Sequence, residues 1–198
     1  MKGKLFILSG QSEVGKNTIL KAVLAKHPEL QRVVTFTTRE PRHNEIPGED
    51  HFFVYPDKFQ EMVKNGEFLE YAETHGEMYG TPKEQIDKAF EKGKNVLMEL
   101  DVKGVANIKD KYRPVTIFLK YETSNIDDLI RNRIKNDPAR QATTEEEIQT
   151  RIATAKKEMG YEKEYNYSVV NPEGEQEKAI NEVENIIKQF EIYERIKK

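Results

Sequence analysis

A chain of 198 residues with a net charge of -3 at pH 7 has room for one sizeable α/β core carrying an insertion, and too little for two ordinary domains with a linker. Its 34% charged and 36% hydrophobic residues describe a packed core under a surface dense in Lys and Glu, with no field to draw in a nucleic-acid backbone, so any anion has to be held by local groups. The lack of Cys excludes disulfides, thiolate metal sites and a Cys nucleophile, and no apolar stretch reaches the length of a membrane span or a signal core, which predicts a cytoplasmic protein with neither membrane nor nucleic acid as partner.

Short apolar runs rich in β-branched residues alternate with amphipathic segments, the pattern of a parallel sheet wrapped by helices. The first run, Leu5–Ser9, leads to a helix from about Gly15 to Lys26 with Leu20, Val23 and Leu24 inward, stopped by His27-Pro28. A second run, Val33–Thr37, completes a βαβ unit. Between Arg39 and Gly80 the pattern breaks into strand-like pieces, Phe52-Phe53 and Phe68-Leu69 with Tyr71, beside Gly48, Gly66, Gly76 and Gly80, which predicts a small inserted subdomain. Asp57 is placed to cap a helix running to Asn65, and Thr81-Pro82 has the cap and first-turn chemistry of another helix through Phe90. The main sheet resumes with Asn95–Leu100 and Val115–Leu119, and a helix is expected from Ser124 to Ile134. The polar run Lys135–Thr144, with Pro138 and little to bury, is expected to be a mobile flap. Ser168–Val170 supplies the last strand, and Gln176–Ile196 places Ile180, Val183, Ile187, Phe190 and Ile196 at helical spacing. The expectation is one folding unit: a core of about residues 1–36, 82–134 and 152–198, a subdomain of about 37–81 and a lid of about 135–151.

The run Gly10, Gln11, Ser12, Glu13, Val14, Gly15, Lys16, Asn17, Thr18 fits GxxxxGK between a predicted strand and a predicted helix. Glycines let the backbone curl so that successive N–H groups meet one anion, the helix N-terminus adds its dipole, and Lys16 brings a cation to the β- and γ-phosphates of a nucleoside triphosphate. Asn17 stands where a Mg²⁺-binding hydroxyl is usual, which leaves Thr18, and Glu99 at a strand end, as candidate metal contacts. Glu13 is expected to turn its charge to solvent. His27, His43 and His75 have no ligand spacing around them and are read as surface residues.

The segments TTREPR (Thr37 to Arg42), Gly48 to Phe53, FLEYA (Phe68 to Ala72), MYGT (Met78 to Thr81) and ELDVKG (Glu99 to Gly104), with late arginines, resemble the guanylate kinases over nearly the whole chain. The resemblance implies a P-loop nucleoside monophosphate kinase fold of class α/β, a five-stranded parallel sheet flanked by helices, with a small mixed α+β GMP-binding subdomain and a lid. It implies transfer from ATP to GMP with Mg²⁺, by a monomer or homodimer. By this likeness Arg39 and Arg42 grip the GMP phosphate, helped by Thr35, Tyr79 and His51, the last in a place usually held by Tyr. A forked, permanently charged pair suits a dianion. Glu70 resembles the guanine reader, with Thr81 and Asp101 as further base contacts. Arg133, Arg140 and Arg151 match the arginines that close on the triphosphate, and Asn171 the loop beside adenine. Gln11 replaces a Pro usual in the family, and Met78 an aromatic. Two other readings remain open: a kinase of the same fold acting on a ribose bisphosphate, which would lack the guanine reader, and a non-catalytic scaffold domain, which would lack Lys16 and the arginines.

Overall fold

Leu5–Gly10, buried at every position, form β1, the middle strand of a parallel sheet, as an apolar run covered on both faces must. In this computed structural model, which describes residues 3–196 apart from 44, 75, 123, 124 and 141, the chain continues through α1 (Lys16–Lys26), β2 (Gln31–Arg32), β3 (Phe36–Thr37), β4 (Phe52–Phe53) and α2 (Pro56–Lys64). There follow β5 (Phe68–Thr74), β6 (Glu77–Pro82), α3 (Lys83–Glu91), β7 (Val96–Glu99), α4 (Val102–Tyr112), β8 (Val115–Lys120) and α5 (Ile126–Asn136). A 3₁₀ turn (Pro138–Arg140), α6 (Glu145–Glu158), a second 3₁₀ segment (Met159–Glu164), β9 (Tyr167–Val170) and α7 (Gln176–Ile196) complete it.

Five parallel strands stand in the order β2-β7-β1-β8-β9, with Leu5 opposite Val96 and Phe6 opposite Val115. The two-residue period of β1 sends Phe6 and Leu8 into a core shared with Val23 of α1, Ile130 of α5, Ile152 of α6 and Val183 of α7. Leu5 and Ile7 enter the opposite core with Ile86 of α3 and Ile108 of α4. The carboxyl ends of β1 and β7, where parallel sheets present their ligand crevice, therefore open on one side of a doubly covered sheet. The insertion has its own four-stranded sheet, β4-β3-β6-β5, with β6 antiparallel to both neighbours. Phe59 and Met62 of α2 pack there on Phe68, the Phe59 and Phe68 rings stacked at 4.6 Å.

Several local expectations change. Val33–Thr37 is not one strand: Gln31–Arg32 pair in the main sheet, Phe36–Thr37 in the second, and Val34 between them is held by the Gln85 side chain, whose Oε1 accepts from the Val34 amide (2.9 Å) and whose Nε2 donates to its carbonyl (3.0 Å). The side chain thus takes the part of a neighbouring strand. Asp57 does not cap α2, because Tyr55 is the N-cap and Pro56 occupies the first turn. Thr81 does not cap α3 either, since β6 runs to Pro82 and the Thr81 hydroxyl is engaged elsewhere. The stretch 135–144 holds the end of α5, the 3₁₀ turn and the N-cap of α6, where Thr144 and Glu147 form a reciprocal capping box. The expected start of α5 at Ser124 lies outside the described residues. His27 is not a surface residue: its side chain is 13% exposed, between Glu29 (Nδ1, 2.8 Å) and Glu184 of α7 (Nε2, 3.6 Å), a contact no local pattern announces. His43 is exposed, and His75 lies outside the described residues.

Candidate active site

At the carboxyl end of β1 the backbone turns through Gly10 (φ 135), Glu13 (φ 65) and Gly15 (φ 93) before α1 begins at Lys16. A Cβ on Gly10 would stand 2.0 Å from the Leu119 carbonyl oxygen, so the loop can lie this close to β8 only with Gly there. Lys16 sits at the positive end of the α1 dipole, an unfavourable place for a cation, and turns its Nζ onto the carbonyls of Gly10 (3.0 Å) and Gln11 (2.8 Å). Gln11 is fully buried and braces the loop: its Nε2 donates to the Ala155 carbonyl of α6 (3.2 Å) and its Oε1 accepts from the Tyr121 amide (2.9 Å). The Ser12 amide donates to Glu158 of α6 (2.5 Å), the Tyr121 hydroxyl to the Ser12 carbonyl (3.1 Å), and Asn171 Nδ2 to the Val14 carbonyl (2.7 Å). Asn17 and Thr18 are exposed on the first turn of α1 and line the same cleft.

Glu13 overturns its expectation. Its side chain is 11% exposed and turned inward, Oε1 accepting from Arg151 (2.7 Å) and Oε2 from Arg140. Burial pushes the carboxyl up, but Arg140 and Arg151 outweigh it and the net shift is down, so two guanidiniums do the work assigned to solvent. Arg133 donates to the Glu13 carbonyl (2.9 Å) and pairs with Glu173 (2.7 Å), its guanidinium 5.1 Å from the centre of the Tyr121 ring. All three late arginines therefore converge on one residue of the loop.

Across the cleft, Arg39 donates to the Tyr79 hydroxyl (3.2 Å) and forks onto Glu45 (2.8 and 3.0 Å), which also accepts from the Arg42 amide (2.8 Å). Burial, and after it the charges of Arg39 and Arg140, push the Arg42 guanidinium below its ordinary value, so the cations of both walls act on one another. His51 Nδ1 is 2.8 Å from the Thr35 hydroxyl, and burial first and Arg39 next push its ring down to about 4. Deeper, Glu70 is 7% exposed and accepts from the Thr81 hydroxyl (2.6 Å), and burial pushes it up to about 7. Asp101 serves as N-cap of α4, accepting from the Gly104 amide (2.7 Å), while its other oxygen accepts from the Thr74 hydroxyl (2.8 Å). Glu99, at the end of β7, is pushed up by burial, with the nearby Lys16 working against the rise.

One cleft of about 1030 Å³ joins the two walls. It offers loop amides and a Lys for one polyphosphate, a two-arginine wall for a second phosphate, and a buried carboxylate able to accept two parallel N–H bonds. Sequence reasoning missed Glu45, Glu158 and Tyr121. Glu45 had a signal in its spacing, six residues after Arg39 on the same loop, whereas Glu158 and Tyr121 reach the loop from distant elements and had none.

The sequence profile of the family described as guanylate kinase matches residues 2–190. The guanylate kinase of Clostridium perfringens (strain SM101) is 37% identical over 94% of this chain and 83% of that protein. That of Caldanaerobacter subterraneus subsp. tengcongensis is 37% identical over 94% and 87%, and that of Clostridioides difficile (strain 630) 38% identical over the same shares. Among solved structures, the crystal structure of guanylate kinase from Anaplasma phagocytophilum matches with a TM-score of 0.73 at 25% identity, over 94% of this chain and 85% of that one. A profile spanning nearly the whole sequence, relatives aligned over most of both lengths and a common fold lead to one conclusion: this chain belongs to the guanylate kinase family.

Proposed function

We propose that this protein transfers the γ-phosphoryl group of ATP to GMP, giving ADP and GDP. The observation that carries the reading is the sharing of one cleft by the Lys16 loop, the Arg39 and Arg42 wall and the buried Glu70–Thr81 pair. Family membership supports the same reaction. A ribose bisphosphate acceptor would not offer Glu70 the parallel pair of N–H donors that guanine presents, and a scaffold would have no use for Lys16 and three converging arginines.

In this mechanism the GMP phosphate, a dianion near neutral pH, supplies its own nucleophilic oxygen and needs no general base. Its bond to the γ-phosphorus forms in line as the bond to the β,γ-bridging oxygen breaks, the electron pair leaving with ADP. Loop amides and Lys16 hold the β- and γ-phosphates, Arg39, Arg42, Tyr79, Thr35 and His51 hold the acceptor phosphate, and Arg133, Arg140 and Arg151 stabilise charge spread over the transferring group. Glu70 accepts from guanine N1–H and the 2-amino group, with Thr81 fixing its orientation and Asp101 beside it. Asn171 lies where adenine would meet the loop. Among the described residues no group of three or more His, Asp or Glu forms a cage. The hard oxygens that line the cleft, on Glu99, Thr18 and Asn17, suit a Mg²⁺ that takes most of its shell from phosphates and water. When bound, such an ion would supply neutralisation of phosphate charge. Closure of the segment 37–81 and the lid 135–151 excludes water, which would otherwise hydrolyse ATP. No helix among the described residues is long and apolar enough to cross a membrane, and the cytoplasm, where ATP is abundant, is the proposed site of action.

The test is ADP production from Mg-ATP with GMP, AMP and a ribose phosphate in turn. GMP is expected to be preferred by orders of magnitude, and equal rates with AMP would overturn the reading.

A further inference from the structure

Among the described residues only Glu13 and Arg113 are non-glycine residues at positive φ, and Glu13 (φ 65) stands in the middle of the phosphate loop. A side chain in the left-handed region carries a backbone cost that Gly would not. A negative charge beside a polyphosphate site is a second cost. What offsets both is the pair of arginines, one on each carboxylate oxygen, which is how two oxygens of a terminal phosphate would be shared between two guanidiniums.

The two arginines are not held alike. Arg151 stands on α6, whose far end is joined to the loop independently through Gln11 to Ala155 and Ser12 to Glu158. Arg140 stands in a 3₁₀ turn, and its other ion pair, to Asp137 (3.1 Å), is local, three residues back at the end of α5. The Glu13 carboxylate is thus the tie between Arg140 and the loop across the chain.

We propose that Glu13 is a positioning residue of the donor site, an internal stand-in for the terminal phosphate of the nucleoside triphosphate that holds Arg140 and Arg151 over the loop until the donor takes them over. This rests on the phosphotransfer reading above. The consequence is a set point for donor affinity: the triphosphate displaces an anion that is anchored beside its own site and repels it. A donor lacking the terminal phosphate competes less directly with Glu13.

Glu13→Gln keeps size and removes charge, and Glu13→Gly removes the side chain where the backbone favours Gly, so that at least one variant is fit to fold. Calorimetric titration with ATP and with ADP, in the absence of GMP, is expected to give roughly tenfold tighter ATP binding in both variants, the scale of one partly buried charge interaction. The gain for ADP should be smaller. Steady-state kinetics should show a lower KM for ATP with an unchanged KM for GMP, a split that a merely structural role would not produce. Wild-type protein that phosphorylates GMP, while folded variants bind ATP no tighter, overturns this inference alone. An equal gain for ATP and ADP also overturns the assignment to the terminal phosphate. Wild-type protein that binds no ATP overturns the inference and the reading beneath it together.

Discussion

Replacing Glu70 by Gln exchanges a buried carboxyl for an amide of the same shape, and the expected effects on stability and on recognition have opposite signs. Burial pushes Glu70 up to about 7 from an ordinary value near 4.5, with Asp101 adding to the rise and the Thr81 hydroxyl offsetting part of it. That difference corresponds to about 3 kcal/mol between the two protonation states. A folded-state value above the unfolded one means that the fold holds this proton more tightly than the unfolded chain does. The stability it lends is complete below about pH 4.5 and is lost as pH rises through about 7. An amide has no charge to bury, so Glu70→Gln should match wild type at about pH 4.5 and exceed it by up to about 3 kcal/mol near pH 8.5. Recognition moves the other way. With Oε1 still accepting from Thr81, the amide turns its NH₂ towards a guanine donor, and a lost charge-assisted bond plus an opposed donor amount to about 3–5 kcal/mol, or roughly 10²–10⁴ in kcat/KM for GMP. Urea unfolding across pH and steady-state rates with GMP and AMP measure the two effects separately. A stability difference that is the same at both ends of the pH range refutes the buried acid, and an unchanged preference for GMP over AMP refutes the base contact.

Lys16→Ala should lower kcat by at least about a hundredfold with an unchanged melting temperature, since Lys16 is a partly exposed first-turn cation; activity within threefold of wild type would remove the loop from the mechanism. Arg151→Ala should lower kcat far more than it raises KM for GMP, because its charge is needed most as the transition state forms, and equal kinetics would reduce it to a surface residue of α6. His51, held down to about 4 by burial and by Arg39, is neutral near pH 6, and a phosphate dianion beside it raises its affinity for a proton. GMP binding near pH 6 should therefore take up protons through His51, read by calorimetry in buffers of different ionisation enthalpy, and His51→Tyr should lose that component; identical uptake in both proteins ends the idea. Gln85→Ala, which strands the Val34 amide and carbonyl, should lower the unfolding free energy by about 1–3 kcal/mol, and an unshifted urea midpoint would mean that water replaces the bracket.

The parallel sheet, most of the runs that form it and the strand-to-helix turn at Gly10–Lys16 were legible because each rests on neighbours in the chain: an apolar run buried on both faces, a glycine-rich turn, a helix start. The likeness to the guanylate kinases is likewise borne out. What failed depends on distance. Val33–Thr37 reads as one strand because two short strands in different sheets share a β-branched composition, while the Gln85 bracket that separates them comes from α3. Glu13 was assigned to solvent by a sound local rule about charge, yet its counter-ions lie 127 and 138 residues away. Thr144 with Glu147 was a readable helix start that the polarity of the preceding run obscured. Considered alone, Glu70 between apolar neighbours has the pattern of an outward residue of an alternating strand, whereas in the fold it is buried, with the charge of Asp101 near it.

The two clips between the phosphate loop and α6, at Ala155 and Glu158, make that helix a lever with its fulcrum at the carboxyl end. Arg151 lies four residues from Ala155 and Glu145 ten, distances of about 6 and 15 Å along the axis. A tilt of about 10° then carries Arg151 only ~1 Å but the start of the helix ~2.6 Å, by the rise of 1.5 Å per residue. Arg151 is thus set by the packing of α6, whose Ile148 and Ile152 enter the core, whereas Arg140 stands in the turn before that helix and is set by its ion pairs to Glu13 and Asp137.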